Sequence, residues 1–169
     1  MRDSELEQLA AKVGRALQNA GLSLVTAESC TGGWVGEAVT AIAGSSDWFD
    51  RGFVTYSNAA KREVLGIAAA TLDQFGAVSE ETAREMALGA LKHSHAQISV
   101  AVTGIAGPGG GSVDKPVGTV CFAWANNDTA LRSERHVLPG DRTEVRRQSV
   151  VIALRGIIAI SSENQTARA

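Results

Sequence analysis

Residues 25–33 read VTAESCTGG: a carboxylate (Glu28), two nucleophile candidates (Ser29 and Cys30) and a further hydroxyl (Thr31), followed by Gly32 and Gly33. A serine at a strand-to-helix turn can present its hydroxyl outward. The N–H groups of the following helix then face the same point and can hold an oxyanion. The plainer reading is a helix N-cap, a position serine favours. The segment is not the G-x-S-x-G elbow of the α/β-hydrolases, because Ala27 stands where the first glycine would be. Cys30 is the rival nucleophile, since a thiol near a helix N-terminus ionises more readily. Its plainer reading is a small buried side chain. Cys121 lies in an apolar run and reads as core.

A serine nucleophile needs a base. His93 and His95 fall at the end of a surface helix and His136 in a late strand, so a Ser-His-Asp arrangement has little support. Lysine can serve where burial lowers its pKa. Lys61 closes the stretch TYSNAAK, in which Tyr56, Ser57 and Asn58 supply hydroxyl and amide groups. A lone lysine is otherwise an ordinary exposed side chain. Glu28 by itself makes no metal site, and no cluster with ligand spacing accompanies it, so neither metal nor cofactor is called for.

Two more segments suit an anion. TGIAGPGGG, residues 103–111, lets backbone N–H groups point at a phosphate, with Thr103 and Gly104 at a strand end. It matches neither the P-loop nor the dinucleotide fingerprint, and its alternative is a loop without a ligand. PGDR, residues 139–142, opens a helix on which Arg142 and Arg146 lie one turn apart. The pair could clasp a phosphate or simply face solvent.

The elements that must position these residues follow from periodicity. Leu6, Leu9, Val13 and Leu17 line one face of a first helix, which Gly21 ends. Residues 22–27 read as a buried strand, 32–43 as a helix and 51–57 as a strand. Asn58 is placed to cap a helix carrying Lys61, Val64 and Leu65. Ser79 caps the next, with Glu80 and Glu81 in its first turn and an end near His93. Residues 98–104 form the clearest strand. Strands at 117–125 and 131–138 are joined by the turn residues NND, and Asp141 caps a long last helix whose tail frays after Ser161. Strands alternating with helices predict an α/β fold, a three-layer α/β/α sandwich with a mixed, mostly parallel sheet. Sites gather beyond the carboxyl ends of such strands, where AESCTGG, TYSNAAK and TGIAGPGGG would converge.

Composition bounds the rest. The 169 residues suit one domain, 1–169, and 44% apolar content suits a folded core. With a net charge of −2 and no basic stripe, nucleic acid is not an expected partner. No apolar run is long enough for a membrane span and no export signal opens the chain, so a reduced, cytoplasmic setting is expected. A homo-oligomer is expected for an enzyme of this size and class.

TAESCTGG, TYSNAAK, AVTGIAGPGGG, KPVGTV and PGDR, taken in this order, resemble the C-terminal domain of the CinA (competence/damage-inducible) proteins over nearly the whole chain. The resemblance implies an amidase that hydrolyses nicotinamide mononucleotide, a small-molecule nucleotide, to nicotinate mononucleotide and ammonia. It implies Ser29 as nucleophile and Lys61 as its partner, with Tyr56 assisting by hydrogen bonding and Asn58 and Thr103 in the pocket. Many members carry an additional pyrophosphatase domain ahead of this one. The chain starts close to the first motif, so the stand-alone form is expected. On this reading backbone N–H groups of Cys30 to Gly33, or of Gly104, hold the oxyanion, Glu28 faces the pyridinium charge, and the glycine-rich loop with Arg142 holds the phosphate. The alternative is a non-catalytic module that binds a nucleotide through the same loops.

Overall fold

The computed structural model describes residues 3–127 and 130–167. Helix α1 (Ser4–Ala20) is capped by Asp3, whose carboxylate accepts from the amides of Glu5 and Leu6, and ends at Gly21 with φ 66°. Its buried face carries Leu6, Leu9, Val13 and Leu17, as the spacing predicts. Strand β1 (Leu24–Glu28) is buried throughout. Helix α2 (Trp34–Thr40) is shorter than the expected 32–43, because Gly32 and Gly33 adopt φ 60° and 101° and belong to the turn before it. Strand β2 (Phe49–Val54) stops before the expected residue 57. Helix α3 (Asn58–Leu65) then begins on Ser57, not Asn58, the Ser57 Oγ accepting from the Ala60 amide at 3.0 Å.

Helix α4 (Ala69–Phe75) carries no side-chain cap and was not anticipated. Helix α5 (Glu80–Lys92) is capped by Ser79 as expected. Strands β3 (Ile98–Gly104), β4 (Thr119–Asn126) and β5 (Leu131–Val137) follow. Asp128 of the expected NND turn lies outside the described residues. Asp141 caps helix α6 (Arg142–Ala167) by accepting from the Glu144 amide at 2.9 Å. This helix does not fray after Ser161, which is buried, and continues to Ala167.

The sheet order is β2-β1-β3-β4-β5. β1 runs parallel to β2 and β3, and β4 is antiparallel to both of its neighbours, so β4 alone points the other way. Side chains alternate across this sheet. Leu24, Val100, Val102, Phe122 and Trp124 pack with α1, α2 and α6 on one face. Val25, Ala27, Ala101, Ala123 and Ala125 pack with α5 on the other. Alanines on that second face let α5 sit close. On the first face Trp124 reaches over Gly156 to donate its indole N–H to the Ala153 carbonyl at 3.0 Å. The result is the three-layer α/β/α sandwich, with the carboxyl ends of β1, β2 and β3 on one edge. Among the described residues no helix is long and apolar enough to cross a membrane.

Candidate active site

Ser29 prolongs β1 by one ladder bond, its amide donating to the Val102 carbonyl at 2.9 Å. The chain then turns away from the sheet, with the Gly32 amide donating to the Ser29 carbonyl at 3.0 Å and the Trp34 amide to the Thr31 carbonyl at 3.1 Å. The left-handed conformations at 32 and 33 are open to glycine with little strain. That is why two glycines follow the serine.

Glu28 does not face the cleft. Its carboxylate is 1% exposed and is turned into the first turn of α2. There it accepts from Thr31 Oγ1 at 2.7 Å, the Val35 amide at 2.8 Å and the Gly36 amide at 3.0 Å. It supplies the cap that Gly33, lacking a side chain, cannot. The expected role of Glu28 toward substrate is corrected accordingly, and so is that of Thr31, which is buried and bonded to it. The start of α2 is likewise occupied and offers no open anion site. Gly32 and Gly33 shape the turn and do not line the cleft.

Lys61 enters from α3, one turn after its cap, and is 1% exposed. Nζ lies 3.0 Å from Ser29 Oγ, 3.0 Å from the Thr55 carbonyl and 3.3 Å from the Tyr56 carbonyl. Burial lowers its pKa below the ordinary lysine value, while the neighbouring Cys30 works weakly in the opposite sense. An amine whose charged form burial disfavours thus sits on a serine hydroxyl. Cys30 is 6% exposed, and burial pushes its thiol up to about 12, so it is protonated at neutral pH.

The cleft has a volume of about 290 Å³. Of the residues singled out in the sequence, Ser29, Cys30, Tyr56, Asn58, Lys61, Thr103, Gly104 and Arg142 line it. His93, His95 and His136 do not. Thr103 is in the wall, but its hydroxyl donates to the Ala77 carbonyl at 2.8 Å. At Gly104 a Cβ would meet Val120 at 2.8 Å, so the glycine permits close pairing with β4. Tyr56 is 59% exposed at the mouth. A hollow of about 580 Å³ beside α1 and α2 is larger, but Glu7, Trp34 and Glu37 in its wall provide no nucleophile with a base.

The first part of the segment 105–118 lines the cleft through Ile105, Ala106, Gly107, Gly109 and Gly110. The base of the segment is closed by the Ile105 amide on the Thr119 carbonyl and the Gly118 amide on the Ile105 carbonyl, both 2.8 Å. Among the described residues, the amides of Ala106, Gly107, Gly109 and Gly110 donate to no backbone carbonyl. Arg142 holds the segment in place, donating to the Gly107 carbonyl at 2.9 Å and to the Tyr56 hydroxyl at 3.1 Å. Arg146 is not a second phosphate clasp. It reaches back to the turn after Ser29, with Nε 3.0 Å from the Cys30 carbonyl and Nη2 3.1 Å from the Thr31 carbonyl, over the Trp34 ring at 5.4 Å. Sequence reasoning missed this role and that of the Thr55 carbonyl, because a backbone acceptor leaves no trace in residue type. Among the described residues no group of three or more His, Cys, Asp or Glu side chains is placed to hold a metal ion.

A family model described as the CinA C-terminal domain matches residues 6–160. The chain is 55% identical over 154 residues to the nicotinamide-nucleotide amidohydrolase PncC of Escherichia coli strain K12, covering 91% of this chain and 93% of that protein. It is 48% identical over 155 residues to the protein of the same name from Pseudomonas putida, covering 92% and 96%. A solved structure of the competence/damage inducible protein CihA from Agrobacterium tumefaciens superposes with a TM-score of 0.91 at 48% identity, over 94% of this chain and 97% of that one. The match of the family model to most of the chain, and of the fold to a structure of the same superfamily, place this protein in the CinA C-terminal domain family.

Proposed function

We propose that this protein is a nicotinamide-nucleotide amidase that cleaves the carboxamide of nicotinamide mononucleotide by a Ser29–Lys61 mechanism. The observation that carries the reading is the 3.0 Å contact between Lys61 Nζ and Ser29 Oγ in a buried cleft. The likeness to the PncC amidohydrolases supplies the substrate class.

The contacts of Lys61 explain how an amine becomes a base. Nζ has two carbonyls and one hydroxyl around it. A neutral amine has two N–H donors and one lone pair. As an ammonium Nζ donates to all three; in the neutral form the proposal requires, the donors stay on the Thr55 and Tyr56 carbonyls and the lone pair faces Ser29 Oγ. Glu28, whose charge would hold Lys61 protonated, is bonded elsewhere.

In the proposed reaction Lys61 takes the Ser29 hydroxyl proton as Oγ attacks the carboxamide carbon. The oxyanion is held by the Cys30 amide, which donates to no backbone carbonyl among the described residues, and by an amide of the 105–110 segment. The Lys61 ammonium returns its proton to the departing nitrogen, and ammonia leaves. Water then attacks the ester, giving one proton to Lys61 and through it to Ser29 Oγ, and nicotinate mononucleotide is released. The amides of Ala106, Gly107, Gly109 and Gly110, which donate to no backbone carbonyl, with Arg142 beside them, suit the 5′-phosphate. The electron-poor pyridinium activates its own carboxamide.

Ammonia release from nicotinamide mononucleotide, measured on wild type and Ser29→Ala together, tests the reading. Turnover by wild type and none by the variant is expected. Binding of the nucleotide without ammonia from wild type would leave a binding module in its place.

A further inference from the structure

We propose that Arg146 is a positioning residue for catalysis: its guanidinium, gripping the carbonyls of Cys30 and Thr31, fixes the peptide planes that aim Ser29 and the oxyanion-binding amide. This rests on the amidase reading above and deepens it.

The two bonds, 3.0 Å from Nε and 3.1 Å from Nη2, fall on consecutive carbonyls just after the nucleophile. A trans peptide is planar, with its carbonyl and N–H pointing in opposite directions. Holding the Thr31 carbonyl therefore sets the Gly32 amide, which donates to the Ser29 carbonyl at 3.0 Å. Holding the Ser29 carbonyl sets the Cys30 amide on the other side of that plane. One rigid fork thus fixes three successive planes between Ser29 and Gly32. A forked, planar donor suits this task and a point charge does not.

Three features make Arg146 more than a surface contact. Its guanidinium lies over the Trp34 ring, which limits its swing. The turn it grips is left-handed at Gly32, where a side chain would stand 3.6 Å from Nη2 in strained backbone. Among the described residues it makes no ion pair, whereas the adjacent Arg147 is engaged by Asp3 and Glu5. The Arg146 charge therefore remains beside the turn. Arg142, one helical turn earlier, holds the Gly107 carbonyl, so α6 grips both the turn after Ser29 and the glycine-rich segment.

The test compares Arg146→Ala, Arg146→Lys and Arg142→Ala. Steady-state kinetics with nicotinamide mononucleotide are one readout. The rate of Ser29 labelling by a fluorophosphonate is the other. In labelling, Ser29 Oγ bonds to phosphorus, fluoride leaves and the serine proton passes to Lys61, so this readout needs no nucleotide. Arg146→Ala is expected to lose about 100-fold in both kcat and labelling rate, with KM changed less than about threefold. Methylguanidinium at tens of millimolar should restore about tenfold in that variant and nothing in Arg142→Ala. Arg146→Lys should recover little, for want of the fork. If Arg146→Ala fails to fold, the kcat, KM and labelling criteria, without the methylguanidinium rescue, apply to Arg146→Lys, which keeps the stem and the charge. A kcat within about threefold of wild type, a loss confined to KM, or no response to methylguanidinium in a folded variant overturns the proposal. Wild type that labels at Ser29 yet releases no ammonia would sink the substrate assignment while still deciding the role of Arg146. Wild type that does neither would sink both.

Discussion

The turn that carries Ser29 and the glycine-rich segment over it are built on opposite plans. In the turn, the side chains of Glu28 and Thr31 and the carbonyls of Ser29, Cys30 and Thr31 are engaged, and the Cys30 amide donates to no backbone carbonyl. Glu28 accepts three bonds, Thr31 donates to it, the Ser29 amide continues the sheet, and Arg146 holds two carbonyls. The segment 105–118 is pinned at its base and by Arg142 and Lys115, but four amides near the cleft meet no backbone carbonyl and Val113 is 99% exposed. A serine proposed as nucleophile must hold its place to a fraction of an ångström, and the carbonyls and side chains around it are bonded before substrate arrives. A segment proposed to receive a phosphate must keep donors in reserve. Changes in the turn should therefore fall on kcat, and changes in the segment on KM.

The largest effect tests the turn at its centre. Ser29→Ala should lower kcat by about 10⁴-fold or more with an unchanged circular dichroism spectrum, since the other parts of the machinery cannot act without the nucleophile. Lys61→Met should follow, by about 10³-fold. The wild-type rate should rise with pH as Lys61 loses its proton and level off below 10.5, the ordinary lysine value, because burial lowers its pKa. Stability gives a second reading of the same shift. Between the lowered folded pKa and 10.5 the unfolded chain binds more protons than the folded one. Wild-type stability contributed by this group therefore rises with pH across that window. Melting curves of Lys61→Met should lack this slope. A wild-type rate that begins to rise only at the ordinary lysine value would contradict a base whose pKa burial lowers.

Much of this arrangement was legible beforehand, and the reasons differ by element. α1 and α5 announced themselves through apolar spacing and through Gly21 and Ser79, features written in local residue type. The convergence of three strand ends followed from the alternation of strands and helices. Ser29 and Lys61 were singled out by residue type, each against a plainer reading, and paired by the CinA resemblance; their 3.0 Å contact is a matter of geometry. Glu28 was misread because a carboxylate beside a nucleophile looks functional, and nothing in the string shows that Gly33 leaves α2 without a side-chain cap. Arg146 was misread for the complementary reason: its partners are carbonyls, which every residue has. Ser57 displaced Asn58 as cap because both cap well and only the backbone path decides between them.

Arg142 tests the segment. Arg142→Ala should raise KM for nicotinamide mononucleotide about tenfold with kcat changed far less, and should matter less for the unphosphorylated nucleoside. An equal loss on both substrates would place its role in shaping the cleft through Tyr56 and Gly107. Glu28→Gln separates scaffold from chemistry. A buried amide in place of the carboxylate turns a donor toward donors, at a cost of about 2–3 kcal/mol. The midpoint of unfolding should fall, while kcat per folded molecule stays within about threefold. A folded but inactive Glu28→Gln would return the carboxylate to the reaction.

The smallest effect is expected one residue from the largest. Cys30→Ala leaves in place the Cys30 carbonyl that Arg146 holds and the amide proposed for the oxyanion, and removes only the sulfur. That sulfur is buried and its thiol is pushed up to about 12, so little thiolate exists at neutral pH to act as nucleophile. The loss is then one of packing, about 1 kcal/mol for a small side chain, or 2–4 °C in Tm for a chain of this size. Turnover should stay within about twofold of wild type. A folded Cys30→Ala without activity would move the chemistry one position along the turn and make the Lys61–Ser29 contact a support for the thiol. Adjacent positions with effects about 10⁴-fold apart would show instead that the turn aims one atom and uses its neighbours as backbone.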